Sequence, residues 1–127
     1  MTRPLTLRLW PDGYAVCRLP PDAGLPPWAD GPGFVSITRT AAELSIICPA
    51  GRVPPDVTAS LGWRLLEIVG PFDFGVTGVM AAVAGPLADA GVSLLPVATY
   101  DTDYLLVTAA QLDRALDALR GAGHRVR

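Results

Sequence analysis

Residues 70–106, GPFDFGVTGVMAAVAGPLADAGVSLLPVATYDTDYLL, decide the fold of this 127-residue chain. The segment opens with a turn, residues 70–75, that contains two glycines and one proline and therefore has access to tight or left-handed backbone conformations. From Val76 to Ala90 the apolar residues recur at helical spacing, and Gly91 follows as a helix stop. We therefore expect a turn that leads directly into a helix.

Two short strands are predicted after this helix, over residues 92–99 and 104–107, with a polar corner over residues 100–103 between them. A helix N-terminus offers free N–H groups that suit a carboxylate. The aspartates of the corner suit an ammonium or guanidinium group. The segment is therefore our candidate site for a small zwitterion.

The rest of the C-terminal half completes a β-α-β-β-α-β order. Residues 63–69 alternate as a strand does, Thr108 and Gln111 fit a capping box before an amphipathic helix, and residues 124–127 form a last strand. This is the split βαβ arrangement, with two helices on one face of the sheet. It places the strand that contains Pro96 at an edge, and Pro86 is expected to bend or loosen the first helix.

The N-terminal half has strands at matching places but no clear helices. Residues 5–10 and 14–19 alternate around a Pro-Asp-Gly turn, which predicts a hairpin. A loop rich in proline and glycine follows, and then strands over residues 34–38 and 43–48. The expected fold is α+β, with two ferredoxin-like (βαββαβ-type) sub-domains side by side. The first, residues 1–60, is degenerate, and the second covers residues 61–127.

Composition excludes several classes of protein. A net charge of −2 and a pI near 5.1 argue against nucleic acid or an anionic membrane as a partner. The most apolar stretch, residues 76–98, is interrupted by two prolines and an aspartate, so it does not predict a membrane span. Cys17 and Cys48 show no CxxC spacing and are interpreted as reduced, buried thiols. These features indicate a cytoplasmic protein.

No arrangement of residues predicts catalysis, a metal or a cofactor. Asp101 and Asp103 lack an accompanying nucleophile, second acid or histidine. Two interpretations of this pair stay open: one caps the turn while the other is solvated, or Asp103 accepts the cationic group of a ligand. His124, the only histidine, is expected to be solvated. The polar residues Ser36, Thr38, Arg39 and Thr40 are either an exposed hairpin connection, or part of a second pocket or of a contact with the neighbouring module.

Several segments together resemble the ACT-domain family. They are FVSITRTAAELSIICP at residues 34–49, GPLADAG at residues 85–91 and ATYDTDYLLV at residues 98–107. The chain is similar to small bacterial tandem ACT-domain proteins, and to the ACT modules of lysine-sensitive aspartate kinases and of the animal cytosolic arginine sensor. The resemblance implies two ACT sub-domains and pairing of chains as a homodimer. It also implies binding of an amino acid or similar small molecule at an interface between modules or subunits.

The resemblance also implies a set of ligand-binding residues. The turn supplies Val76, Gly78 and Val79, the corner supplies Thr99, Tyr100, Thr102 and Asp103, and the facing strand supplies Ser93 and Leu94. The chain departs from the family at two positions, because Ala98 replaces a serine and Val76 replaces the glutamate of the arginine sensor. Asp73 or Asp101 are candidates to supply the missing acid.

The sequence thus leads to the hypothesis of a non-enzymatic sensor or regulatory protein that binds an amino acid. The alternative is a structural or protein-interaction module that binds no ligand.

Overall fold

The computed structural model describes residues 4–73 and 75–127. Within these ranges the strands are β1 (Thr6–Leu19), β2 (Ser36–Arg39), β3 (Leu44–Pro49), β4 (Thr58–Ile68), β5 (Leu95–Ala98), β6 (Asp103–Thr108) and β7 (Arg125–Val126). The α-helices are α1 (Val79–Asp89) and α2 (Leu112–Gly121), and short 3₁₀ helices cover Pro27–Ala29, Ala50–Arg52 and Ala109–Gln111. The predicted mixture of helices and antiparallel strands is confirmed.

The chain divides into two compact units. Unit 1 comprises the residues up to Pro11 together with Arg64–Arg127, and unit 2 comprises Asp12–Trp63. The long strands β1 and β4 each contribute one part to each unit. Residues 4–11 therefore group with the C-terminal half, whereas the sequence analysis places them in a sub-domain of residues 1–60. The division into two ACT sub-domains stays a prediction.

In unit 1 the strand order is β5-β6-β4-β1, and β7 pairs with β1 in parallel through Thr6 and Arg125. The elements from β4 to β7 follow the predicted β-α-β-β-α-β order. β5 lies at the end of the strand order, which confirms the expected edge position of Pro96. An edge strand tolerates a proline because the N–H groups on its outer side have no neighbouring strand to bond.

The core of unit 1 lies between the strands and the two helices. Each helix contributes an apolar stripe, and each fully buried leucine contributes about 1.5–3 kcal/mol. The buried residues of this core are Leu5, Leu7, Leu66, Ile68, Ala82, Val83, Leu87, Val92, Leu105, Val107, Ala115 and Leu119. The helix pattern read from the sequence therefore identifies the faces that pack.

His124 is buried, with 5% of its surface exposed, so the expectation of a solvated histidine is wrong. Pro86 has no N–H to donate to the carbonyl of Ala82, one turn earlier in α1. The His124 Nε2 atom lies 2.8 Å from that carbonyl oxygen, and the Leu5 N–H donates to Nδ1 over 3.0 Å. Because Nδ1 accepts, Nε2 carries the proton and donates to Ala82. The imidazole thus satisfies the acceptor that the proline leaves open, and α1 continues to Asp89.

The ends of the two helices differ in how well the sequence predicts them. Gly91 has a φ of 74° and its N–H donates to the Ala88 carbonyl over 3.0 Å, which confirms the predicted helix stop. The predicted capping box is wrong, because Thr108 makes no side-chain cap and the Gln111 amide donates to the Gly91 carbonyl over 3.3 Å. A 3₁₀ turn precedes α2 instead.

In unit 2 the order is β2-β3-β1, with the first part of β4 beside β1. The hairpin predicted at residues 11–13 is wrong, because β1 runs through them as one strand. Gly13 has no positive φ, and the pairing continues at once with Tyr14 opposite Pro49 in β3. Pairing with neighbouring strands outweighs the local turn preference.

Loops and 3₁₀ turns cover the core of unit 2. Its buried residues are Ala15, Cys17, Ala29, Leu44, Ile46 and Cys48, and Trp28, Val53 and Val57 pack against them. Both thiols are buried and unpaired, as expected. Burial, with the neighbouring Cys48, raises the pKa of Cys17 to about 11, so the thiol is neutral at physiological pH.

Of the polar residues 36–40, Ser36–Arg39 form β2 and Thr40 begins the exposed connection to β3, so the connection interpretation holds for Thr40 alone. The Thr40 hydroxyl accepts the N–H groups of Ala42 and Glu43 over 3.1 and 3.2 Å. Arg39 donates to the Pro21 carbonyl. These side chains stabilise the turn between β2 and β3.

Candidate functional site

The turn before α1 ends in a glycine whose conformation sets where the helix starts. Gly78 adopts a φ of 81° and is the N-cap, so α1 begins at Val79 and not at Val76. A left-handed residue at this point suits glycine, because a side chain would strain the backbone. Among the described residues no side chain caps the helix start, and a helix start without a cap is a candidate site for a carboxylate. Phe74, in the same turn, lies outside the described residues.

The corner between β5 and β6 is closed by threonines. The Thr99 N–H donates to the Thr102 carbonyl over 2.9 Å, and the Thr102 N–H donates to the Thr99 hydroxyl over 3.3 Å. The Thr102 hydroxyl donates to the carbonyl of Ile68 at the end of β4. The Phe72 N–H donates to the Asp101 carbonyl over 2.8 Å, which ties the loop before α1 to the corner.

The loop and the corner enclose a cavity of about 220 Å³, which we call the corner pocket. Its lining residues are Phe72, Asp73, Val76, Val79, Ala98, Thr99, Tyr100, Asp101, Thr102 and Asp103. Three of these described residues are aspartates and none of them is an arginine, so together they carry negative charge at neutral pH. A cationic group is therefore the electrostatic complement of the corner pocket.

The structure brings together most of the residues implied by the family resemblance. Val76, Val79, Thr99, Tyr100, Thr102 and Asp103 all line the corner pocket. Gly78 acts as the N-cap beside it. Ser93 and Leu94 precede β5 whereas the corner follows it, so they lie at the opposite end of that strand and do not line the pocket.

The corner pocket also contains acids beyond the implied residues. Asp73 and Asp101 both line it, where the sequence analysis offers them as replacements for the acid lost at Val76. The Thr99 hydroxyl supplies a side-chain oxygen that closes the turn, and both interpretations of Asp101 and Asp103 stay predictions. The sequence analysis does not name Phe72 as a site residue. Its position between Gly70 and Gly75, in the turn before α1, could have indicated that it lines the pocket.

A second cavity, of about 250 Å³, shares Asp101 and Thr102 with the corner pocket. It is lined by Glu67, Gly70, Pro71, Asp101, Thr102 and Tyr104. The Glu67 carboxylate accepts from Arg8 over 2.8 Å and from the Trp10 indole over 3.1 Å. Burial, with the charge of Glu67, raises the pKa of Tyr104, so its phenol stays protonated at neutral pH.

The described residues hold no metal site, because they contain no group of three His, Cys, Asp or Glu side chains placed to share an ion. The three aspartates of the corner pocket are therefore not arranged as a metal centre. Across residues 4–73 and 75–127, neither α1 nor α2 combines the length and apolar character that crossing a membrane requires.

The split βαβ order of unit 1, with a pocket between the loop before the first helix and a strand corner, defines a ferredoxin-like domain with room for a small ligand. The chain belongs to the ACT-domain family. Residues 58–121 match the sequence model of the ACT domain, and residues 12–56 match a separate model of an N-terminal domain. The resemblance read from the sequence is confirmed.

Among curated relatives, the bovine cytosolic arginine sensor for mTORC1 subunit 1 (Bos taurus) is 34% identical over 103 residues, which cover 71% of this chain. The human protein of the same name is 31% identical over 93 residues and 69% of this chain. The alignments cover 31% and 26% of these sensors, so the chain spans less than a third of their length.

Solved structures share the whole fold. A protein from Agrobacterium tumefaciens superposes with a TM-score of 0.94 at 40% identity, over 99% of this chain and 94% of that one. The regulatory subunit of aspartate kinase from Thermus flavus superposes with a TM-score of 0.65 at 14% identity, over 94% of this chain and 99% of that one. The second likeness concerns the fold alone.

Proposed function

We propose that the protein is a non-enzymatic regulatory protein that binds a free amino acid in the corner pocket. The observation that carries the proposal is a pocket of ligand size whose described lining has three aspartates and no arginine, next to a helix start that no described side chain caps. The similarity to proteins named as arginine sensors and as a regulatory subunit of aspartate kinase supports it.

The two ends of an amino acid fit the two sides of the corner pocket. Its carboxylate accepts from the N–H groups at the start of α1, where Gly78 leaves the helix without a side-chain cap. Its cationic groups lie against Asp103 and the neighbouring Asp73 and Asp101. Three acids in the lining favour an amino acid with a cationic side chain over a neutral one. Recognition of this kind needs no nucleophile and transforms nothing.

A second copy of the chain completes the site. Ser93 and Leu94 lie at the far end of β5 from the corner, so in this proposal they belong to the corner pocket of a partner in a homodimer. A ligand held by both copies binds the dimer more tightly than the monomer and shifts the population toward the dimer. The regulatory signal is this change in assembly.

Two further parts of the proposal concern the architecture and the location. Both units have a four-strand order in which a hairpin pair lies outermost, which supports two ACT sub-domains, the first of them degenerate. The buried, unpaired thiols of Cys17 and Cys48 support a cytoplasmic location, where cysteines stay reduced.

The test is a thermal-shift and calorimetric screen of the full chain against the twenty amino acids. A ligand at a hundredfold excess over its Kd stabilises the folded state by about 2.7 kcal/mol. The substitution Asp103→Asn should abolish most of this response, whereas Asp117→Asn, on the exposed side of α2, should leave it intact. Failure of every amino acid to stabilise the protein at millimolar concentration would remove the proposal.

A second candidate function, a protein-interaction module without a ligand, is favoured by the apolar rim of the corner pocket. Tyr100 is 80% exposed and Val76 is 39% exposed, and both line the corner pocket, so together they offer apolar surface to a partner. This candidate predicts that Tyr100→Ser weakens self-association or partner binding equally with and without amino acids. The proposed function predicts that the effect depends on the ligand, and sedimentation velocity separates the two.

A further inference from the structure

Unit 2 holds a cavity of about 420 Å³, which we call the Arg52 pocket. Arg52 and Asp12 carry its charges, the rings of Pro32 and Pro49 form apolar walls, and Gly33 and Gly51 bring backbone close to the space. An added Cβ at Gly51 would meet no atom within 4 Å, so this residue borders open space. All the lining residues belong to unit 2, whereas the corner pocket belongs to unit 1.

The guanidinium group of Arg52 is only partly satisfied by the protein. Its Nε donates to the Trp28 carbonyl over 3.1 Å and its Nη1 donates to the Pro32 carbonyl. Its Nη2 is buried and has no hydrogen-bond partner in the part of the chain that the structure describes. A buried donor without an acceptor is costly, and a partly buried cation without a counter-ion more so. The described residues give the Arg52 cation no ion pair, so an anion in the cavity is its electrostatic complement.

Asp12 supplies the opposite charge on the same cavity. It is exposed, and it forms no ion pair with Arg52. Burial raises the pKa of the buried Tyr14 phenol, the charge of Asp12 adds to the rise, and the charge of Arg52 opposes it. Both charged residues line the same cavity.

We propose that the Arg52 pocket binds a small zwitterion, an amino acid with a short or apolar side chain, with its carboxylate on Arg52 and its ammonium group on Asp12. The carboxylate pairs with the charge of the Arg52 guanidinium group, which lines the cavity. The two proline rings accommodate a short aliphatic side chain. A ligand with a cationic side chain is a poor match, because the pocket offers one acid and not three.

The Arg52 pocket is independent of the proposed function of the corner pocket. The two differ in charge, with one arginine and one aspartate against three aspartates. Binding at one of them therefore survives loss of the other, and Asp103→Asn should leave the Arg52 pocket unaffected.

The test is a titration of the isotope-labelled full chain with glycine, acetate and methylammonium, followed by amide chemical shifts. Glycine should move the amides of Gly13, Gly33 and Gly51, and each single-charge probe should bind about tenfold more weakly, a loss of about 1.4 kcal/mol. Gly51→Leu should fill the cavity and abolish the shifts. Gly24→Leu is the matched control, because Gly24 also borders open space but does not line the pocket.

Three results would overturn the proposal: no shift of these amides with glycine at millimolar concentration, acetate that binds as tightly as glycine, or a titration that Gly51→Leu leaves unchanged. Asp12→Asn provides a second variant if Gly51→Leu does not fold. It removes only an exposed carboxylate and should weaken glycine binding about tenfold while leaving acetate binding unchanged. Equal binding of glycine by this variant would also contradict the proposal.

Discussion

The two units pair their strands in a similar order but cover them differently. The order is β5-β6-β4-β1 in unit 1, and in unit 2 it is β2-β3-β1 followed by β4. Unit 1 covers its core with α1 and α2, whereas unit 2 has 3₁₀ turns, Pro27–Ala29 and Ala50–Arg52, after its first and third strands. The comparison teaches that strand pairing can specify this order without helices. Helices matter where the start of one contributes to a site, as at the corner pocket.

Each unit also uses one polar side chain to hold its covering layer. In unit 1, His124 donates to the Ala82 carbonyl of α1. In unit 2, Arg52 donates to carbonyls of the covering loop at Trp28 and Pro32. Substituting His124 and Arg52 in turn, and measuring the loss of stability, tests whether the two units depend equally on these contacts.

The largest effect is expected from His124→Ala. The substitution leaves two buried groups, the Leu5 N–H and the Ala82 carbonyl, without a partner. Each such loss costs about 1–3 kcal/mol, so we expect a loss of about 3 kcal/mol or more in the free energy of unfolding. Urea denaturation followed by circular dichroism measures it.

Pro86→Ala provides the control, because alanine restores the N–H that can donate to Ala82 within α1. In the His124→Ala background, Pro86→Ala should recover part of the lost stability, so the two substitutions should not be additive. Strict additivity would show that His124 does not compensate for the proline.

The second largest effect is expected from Arg52→Met. It removes the bonds from Arg52 to Trp28 and Pro32 but keeps most of the apolar stem, so we expect a loss of about 2 kcal/mol. Arg39→Met is the matched control, because the exposed Arg39 also donates to a backbone carbonyl, that of Pro21. Its loss should stay below about 0.5 kcal/mol. Equal losses would mean that the covering loop does not depend on Arg52.

The sequence predicts unit 1 better than unit 2, and the reason is physical. In unit 1 the helical period and the stop at Gly91 are local signals, so the order from β4 to β7 follows from them. In unit 2 the decisive interactions are pairings between distant strands. The turn residues at 11–13 indicate a hairpin locally, but β1 continues through them because its neighbours do.

The same distinction between local and long-range signals applies to the candidate site. The corner and the helix start are contiguous in sequence, so the resemblance identifies most of the residues that line the corner pocket. The burial of His124 was not predictable, because it depends on a carbonyl left open by Pro86, 38 positions earlier in the chain. The partners of Arg52 were missed for the same reason, since they lie in a loop without periodic structure.

A smaller effect is expected at the start of α1, which only unit 1 possesses. Gly78→Ala should cost about 1–2 kcal/mol, because the φ of 81° strains any residue with a Cβ although that atom would meet nothing within 4 Å. Gly85→Ala, at an exposed position inside the same helix, should instead stabilise the protein by about 0.5–1 kcal/mol. Thermal denaturation of the pair measures both signs, and equal signs would mean that the conformation of Gly78 does not set the helix start.

The smallest effect, absent at neutral pH, concerns the thiols in the core of unit 2. The pKa of Cys17 rises from 9.0 to about 11 on folding, and the pKa of Cys48 also rises, in both cases chiefly through burial. The unfolded chain therefore releases these protons at a lower pH than the folded chain. Stability should be unaffected by the thiols below about pH 9 and should fall as the pH rises from about 9 to about 11. Urea denaturation across this range should show that decline, and the double variant Cys17→Ala, Cys48→Ala should show a shallower one, because its core has no thiol to ionise. An equal slope in both proteins would mean that ionisation of the thiols does not cause the loss of stability at high pH.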